Sequence, residues 1–189
     1  MKRGFKAQAE RIATEIRNEL DLSADAKLEP LDLAEHLLIP VLSLSQASRT
    51  APKNSFSQYF AVTDPDSFSA ITIFQGYERL IVHNETHHPH RQASNLAHEV
   101  SHSLLEHEPT PVVNANGQRY WDAQVEQEAT WLGAALLIPR AGALSMAKQD
   151  WTVQDIAEHY GVSEALCRWR IGQTGIARQV AHWRRSWRN

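Results

Sequence analysis

Arg91-Gln92-Ala93-Ser94-Asn95-Leu96-Ala97-His98-Glu99-Val100-Ser101-His102-Ser103-Leu104-Leu105 is the stretch on which the reading of this chain turns. It lies in a helical pattern predicted from about Arg91 to His107, directly after two short β-type runs. Histidines four residues apart share one helix face, with Cβ atoms about 5–6 Å apart. Two imidazole nitrogens can therefore reach a single ion at about 2.0–2.1 Å. Glu99 points to an adjacent part of that face, where it can accept a proton from metal-activated water without being a ligand. The bland alternative is a solvated histidine face; the helical setting favours the metal.

On the N-terminal side, Ala9, Ile12, Ala13, Ile16 and Leu20 recur at helical spacing and predict an amphipathic helix from Phe5 to Leu20. A short helix is expected from Pro30 to Leu38, between one proline and the next at Pro40. Ser43 to Ser55 reads as loop, followed by strands at Phe56–Val62, Ala70–Phe74 and Leu80–Val82. The last two flank Gln75-Gly76-Tyr77-Glu78, a hairpin turn. On the C-terminal side, a Pro/Asn/Gly segment from Glu108 to Gly117 precedes a helix from about Tyr120 to Leu137, stopped by Ile138-Pro139. After Ala141-Gly142 two short helices and a basic, Trp-rich tail are expected.

A catalytic zinc normally has three protein ligands and an open position for water. A glycine three residues past His102, followed three further on by histidine, would supply the third ligand locally. Leu105 and Glu108 stand there instead. His107 turns well away from the metal face, and Glu106 is too far along the axis from His98. The ligand is therefore expected on the Tyr120–Leu137 helix, where Glu128 and Glu126 are the candidates.

Three segments together resemble the ImmA/IrrE metallopeptidase family: Ile81-Val82-His83-Asn84, Arg91 to Leu105, and Glu126-Gln127-Glu128-Ala129-Thr130-Trp131-Leu132-Gly133-Ala134-Ala135-Leu136-Leu137-Ile138-Pro139. The family's order is I-x-x-N, then R-x-x-F-T-x-A-H-E-x-G-H-x-L-L, then E-x-E-A-N-x-F-A-A-x-L-L-M-P. The resemblance implies Glu128, directly before alanine, as third ligand of Zn2+ beside His98 and His102, with Glu126 in reserve and Glu99 as the base. It also implies a cytoplasmic peptidase, often encoded near a helix-turn-helix repressor or antitoxin that it cleaves to derepress genes. Departures are Ser101 for glycine, Ser94-Asn95 for F-T and Thr130-Trp131-Leu132 for N-x-F. They touch the packing around the site, not the ligands or the base.

His83, His87, His88 and His90 have no regular ligand spacing and read as a solvated loop rather than a second metal site. Tyr120 and the histidines are candidates to stabilise an oxyanion. Ile156-Ala157-Glu158-His159-Tyr160-Gly161-Val162-Ser163 resembles the turn of a helix-turn-helix, with Arg168 and Arg170 nearby. A module packed on the peptidase is favoured over DNA contact. Ile176, Val180, Trp183 and Trp187 form an apolar stripe beside Arg178, Arg184, Arg185 and Arg188, expected to dock on the domain or a partner rather than a membrane.

Composition agrees with a soluble protein of 189 residues: 42% hydrophobic, 22% charged, net charge −3. One cysteine, Cys167, rules out an internal disulfide framework. Neither a secretory signal nor a membrane span is read. The expected fold is α+β: a small antiparallel sheet on a zincin-type helical core (1–145) with a helix-turn-helix-like C-terminal module (146–189). The expected function is a zinc endopeptidase, with substrate extended along an edge strand near Leu80–Val82. Its rival is a DNA-binding or repressor-sequestering regulator.

Overall fold

The computed structural model describes residues 1–50, 67–76, 78–108 and 122–186. Nine helices and three strands occur among them: α1 (Phe5–Glu19), α2 (Pro30–His36), β1 (Val41–Ser43), α3 (Leu44–Thr50), β2 (Ala70–Gln75), β3 (Glu78–His83), α4 (Pro89–Leu104), α5 (Ala123–Leu137), α6 (Arg140–Lys148), α7 (Val153–Tyr160), α8 (Glu164–Thr174) and α9 (Ile176–Ser186). The fold is α+β, as expected. The expected strand at Phe56–Val62 lies outside the described residues.

The sheet differs from expectation in two ways. Its order is β1-β3-β2, with β1 parallel to β3 and β2 antiparallel to it, so it is mixed rather than antiparallel. Leu80–Val82 therefore belong to the central strand, which has strand partners on both sides. Among the described residues β2 is the edge strand nearest the metal helix. The hairpin is as read: Gln75 pairs with Glu78, and Gly76 turns at φ +63°, a value glycine adopts without Cβ strain. Within Ser43–Ser55, read as loop, Leu44–Thr50 is helical, with the Leu44 and Ser45 amides donating to the Glu85 carboxylate. Four helices follow Ile138, one more than the two short helices and the amphipathic tail helix expected, and Gly142 lies inside α6.

α4 begins with Pro89 in its first turn, and the His88 imidazole accepts from the His90 amide at 3.2 Å. Proline there forfeits no helical hydrogen bond. α5 is capped by Asp122, whose carboxylate accepts from the Gln124 and Val125 amides, an N-cap worth about 0.5–2 kcal/mol. From Trp131 onward α5 is apolar all round: Trp131 to Leu137 are buried without interruption. Such a helix must be covered on every side. α1 and α4 cover it with Phe5, Ala9, Ala13, Leu96 and Val100, and α2, packed on α4, brings Leu33 and Ala34 into the same core. A second cluster joins Leu137 and Ile138 to Ala143, Met146, Ile156, Tyr160, Ile176 and Val180. Ile176 and Val180 thus dock the last helix on its own chain; Trp183 and Trp187 lie outside the described side chains.

The buried C-terminal end of α5 leaves carbonyls without helical partners. Two buried arginines supply donors. Arg17 donates to the oxygens of Leu136, Ser23 and Ala26, and Arg170 to that of Ile138. Arg170, read as a DNA-contact candidate, is 0% exposed and paired with Glu10 at 2.6 Å.

Candidate metal centre

α4 and α5 meet closely because the residues at their contact are small. A Cβ on Gly133 would lie 3.1 Å from the Ala97 carbonyl and 3.2 Å from the His98 nitrogen. Ser101, where the resembled family has glycine, is buried, and its hydroxyl folds back onto the Ala97 carbonyl at 2.6 Å. The departure is thereby absorbed within the helix.

This contact brings His98 and His102 to α5. Their Nε2 atoms are 3.0 Å apart. A carboxylate oxygen of Glu126 is 3.2 Å from His98 Nε2, and its other oxygen is 3.9 Å from His102 Nε2. Ligand atoms of these three residues all fall within 4.8 Å of one another. Two imidazole nitrogens and one carboxylate are the donor set of a catalytic zinc, which keeps its fourth position for water. Glu128, the ligand implied by resemblance, is placed elsewhere: it is 4% exposed, accepts from the Lys2 amide at 2.9 Å and lies 4.0 Å from His107 Nε2. The two glutamates differ by about 200° around α5, so the face turned to α4 presents only one of them.

Both histidines have partners on their other ring nitrogen. Thr130 Oγ1 is 3.4 Å from His98 Nδ1, and His107 Nδ1 is 3.0 Å from His102 Nδ1. Burial, reinforced by neighbouring His98, pushes the His102 pKa down to about 4. Its ring is therefore neutral and able to ligate at physiological pH. Burial lowers His107 as well, against the opposing pull of Glu128.

Glu99 receives the Thr72 hydroxyl at 2.6 Å. Burial raises its pKa, a shift opposed by the Thr72 hydrogen bond and by His98 and reinforced by Glu126. A carboxylate pushed upward is a better proton acceptor at neutral pH. Thr72 was not singled out from the sequence. Its one signal there is a polar residue within the otherwise apolar strand Ala70-Ile71-Thr72-Ile73-Phe74.

A cleft of about 730 Å³ opens on the site, lined by His98, Glu99 and Glu126, by Ser69 and Ala70 at the start of β2, and by Asn95. Its far wall is Trp131 against Trp169, edge to face at 5.3 Å, with the Lys6 ammonium 4.0 Å from the Trp131 ring centre.

The histidine-rich segment is solvated only in part: His88 is exposed, whereas His83 and His87 are buried, and Gln92 donates to the carbonyls of Glu85 and His87. Asn84, at the strand end, donates to the Phe68 carbonyl and accepts from the Thr86 amide and hydroxyl. Tyr120 lies outside the described residues. Arg168 is exposed and 3.5 Å from Glu164. Among the described residues no helix is long and apolar enough to cross a membrane.

The family profile described as IrrE N-terminal-like domain (Peptidase M78) matches residues 34–171, which include both site helices. No curated protein matches the chain.

Proposed function

Since the chain belongs to the IrrE N-terminal-like (Peptidase M78) family, we propose that it is a zinc-dependent endopeptidase with His98, His102 and Glu126 as metal ligands and Glu99 as general base. The observation that carries this reading is the convergence of two imidazoles and the Glu126 carboxylate beside the half-buried Glu99. When bound, zinc would polarise the scissile carbonyl and make water more acidic. Glu99 takes the proton of the attacking water and delivers it to the leaving amine. Thr72 holds the carboxylate in place through its hydroxyl. The substrate lies extended in the cleft and pairs with the edge strand β2, a mode in which main-chain hydrogen bonds give affinity.

The substrate class is a helix-turn-helix repressor or antitoxin encoded beside the enzyme, whose cleavage derepresses genes; this follows from the family resemblance. The protein works in the cytoplasm. DNA contact by the α7–α8 module is the weaker reading, since Arg170 serves the interior. The test is to measure zinc in the purified protein and incubate it with the product of the neighbouring repressor gene. About one zinc per chain and metal-dependent cleavage are expected. Zinc uptake with the repressor bound but intact would replace the peptidase by a sequestering regulator.

A further inference from the structure

We propose that His107 and Glu128 form a support that orients the His102 ring for the metal without either residue ligating it. The inference rests on the reading of His98, His102 and Glu126 as the ligand set. Its basis is a line of contacts leading away from the metal face. His102 Nδ1 meets His107 Nδ1 at 3.0 Å, with the rings edge to face at 68°. His107 Nε2 faces the Glu128 carboxylate at 4.0 Å, and the Lys2 amide holds that carboxylate from the other side at 2.9 Å.

Backbone geometry points the same way. Glu106, at the end of α4, has φ +52°, a left-handed conformation that costs a residue with a Cβ roughly 1–2 kcal/mol. The turn folds the chain back so that the His107 amide donates to the His102 carbonyl at 3.0 Å. His107 is thereby returned to the helix it has just left, beside the ring of His102. Glutamate in place of the usual glycine at such a turn means that packing beyond it holds the geometry.

Only one arrangement of hydrogens suits ligation. If His102 presents the Nε2 lone pair to the metal, its hydrogen is on Nδ1 and points at His107. His107 must then accept at Nδ1, which leaves its own hydrogen on Nε2, toward Glu128. At 4.0 Å the carboxylate is beyond hydrogen-bond range and acts through its charge, favouring N–H on the near side of the ring. His107 and Glu128 are thus positioning residues, and both ring N–H groups, of His102 and of His107, point from the metal outward.

Zinc affinity by chelator competition, melting temperature and histidine 15N spectra of the metal-free protein test this with His107→Ala and His107→Gln. Glutamine can accept from His102 through its carbonyl and donate toward Glu128 through its amide. His107→Ala should lower zinc affinity by about 10–100-fold while the metal-free protein stays folded, and His107→Gln should recover it to within about threefold of wild type. In the wild-type spectrum His102 should carry its proton on Nδ1, a preference lost in His107→Ala. Wild-type affinity in His107→Ala, no recovery in His107→Gln, or a wild-type His102 protonated on Nε2 would overturn the proposal. If wild type takes up no zinc, the peptidase reading fails, and the His102 tautomer alone decides the support.

Discussion

The Thr72 hydroxyl donates to the Glu99 carboxylate at 2.6 Å, tying the edge strand of the sheet to the helix that carries both histidines. This contact lowers a pKa that burial raises. Thr72→Val removes it while keeping the shape. Glu99 should then hold its proton to higher pH, so the acid limb of the pH–rate profile moves upward. Turnover at neutral pH should fall on the order of tenfold, since a hydrogen bond to a charged group contributes about 1.5–3 kcal/mol. An unshifted acid limb would separate Glu99 from the proton transfer.

Glu99→Gln should bind zinc as wild type does and lose about 10²–10⁴-fold in turnover, the scale of general-base removal. The same variant makes a stability prediction. A carboxyl whose folded pKa is raised costs nothing below its ordinary range and opposes folding increasingly as pH rises through the raised value. At neutral pH the metal-free Glu99→Gln protein should therefore melt higher than metal-free wild type, and at pH well below 4.5 the gap should close. Thermal melts at the two pH values check the sign.

Glu126→Ala should abolish zinc binding and cleavage together, because it removes the carboxylate that, among the described residues, groups with the two histidines. Glu128→Ala should leave zinc bound, weakened by no more than about 10–100-fold, since that carboxylate acts through His107. Zinc content and proteolysis of the two variants are the measurement. The reverse pattern would return the third ligand to Glu128.

Arg170→Met should lower stability by about 3–5 kcal/mol, because it leaves Glu10 without its partner and the Ile138 carbonyl without its donor. Arg168→Ala, on an exposed site, should stay within about 0.5 kcal/mol of wild type. Denaturant titration distinguishes them. Equal and small effects would remove Arg170 from the core and reopen DNA contact.

What the sequence determined by itself is what depends on neighbours along the chain. The His98–Glu99–His102 face follows from helical spacing, α1 from its apolar period, and the hairpin from a glycine between two strand-forming runs. The family segments located the second helix of the site on the same terms. Tertiary structure decided the rest, because it depends on how separate elements meet. Which glutamate faces the histidines is set by the rotation of α5 against α4, and that is fixed where Gly133 admits the backbone of Ala97. β3 is central because distant Val41 and Leu42 pair with Ile81 and Val82. Arg170 points inward because the end of α5 is buried there and its carbonyls need donors. A carboxylate or guanidinium has the same local propensity whichever way it faces; only the packed neighbour makes one direction a ligand, a support or a core contact.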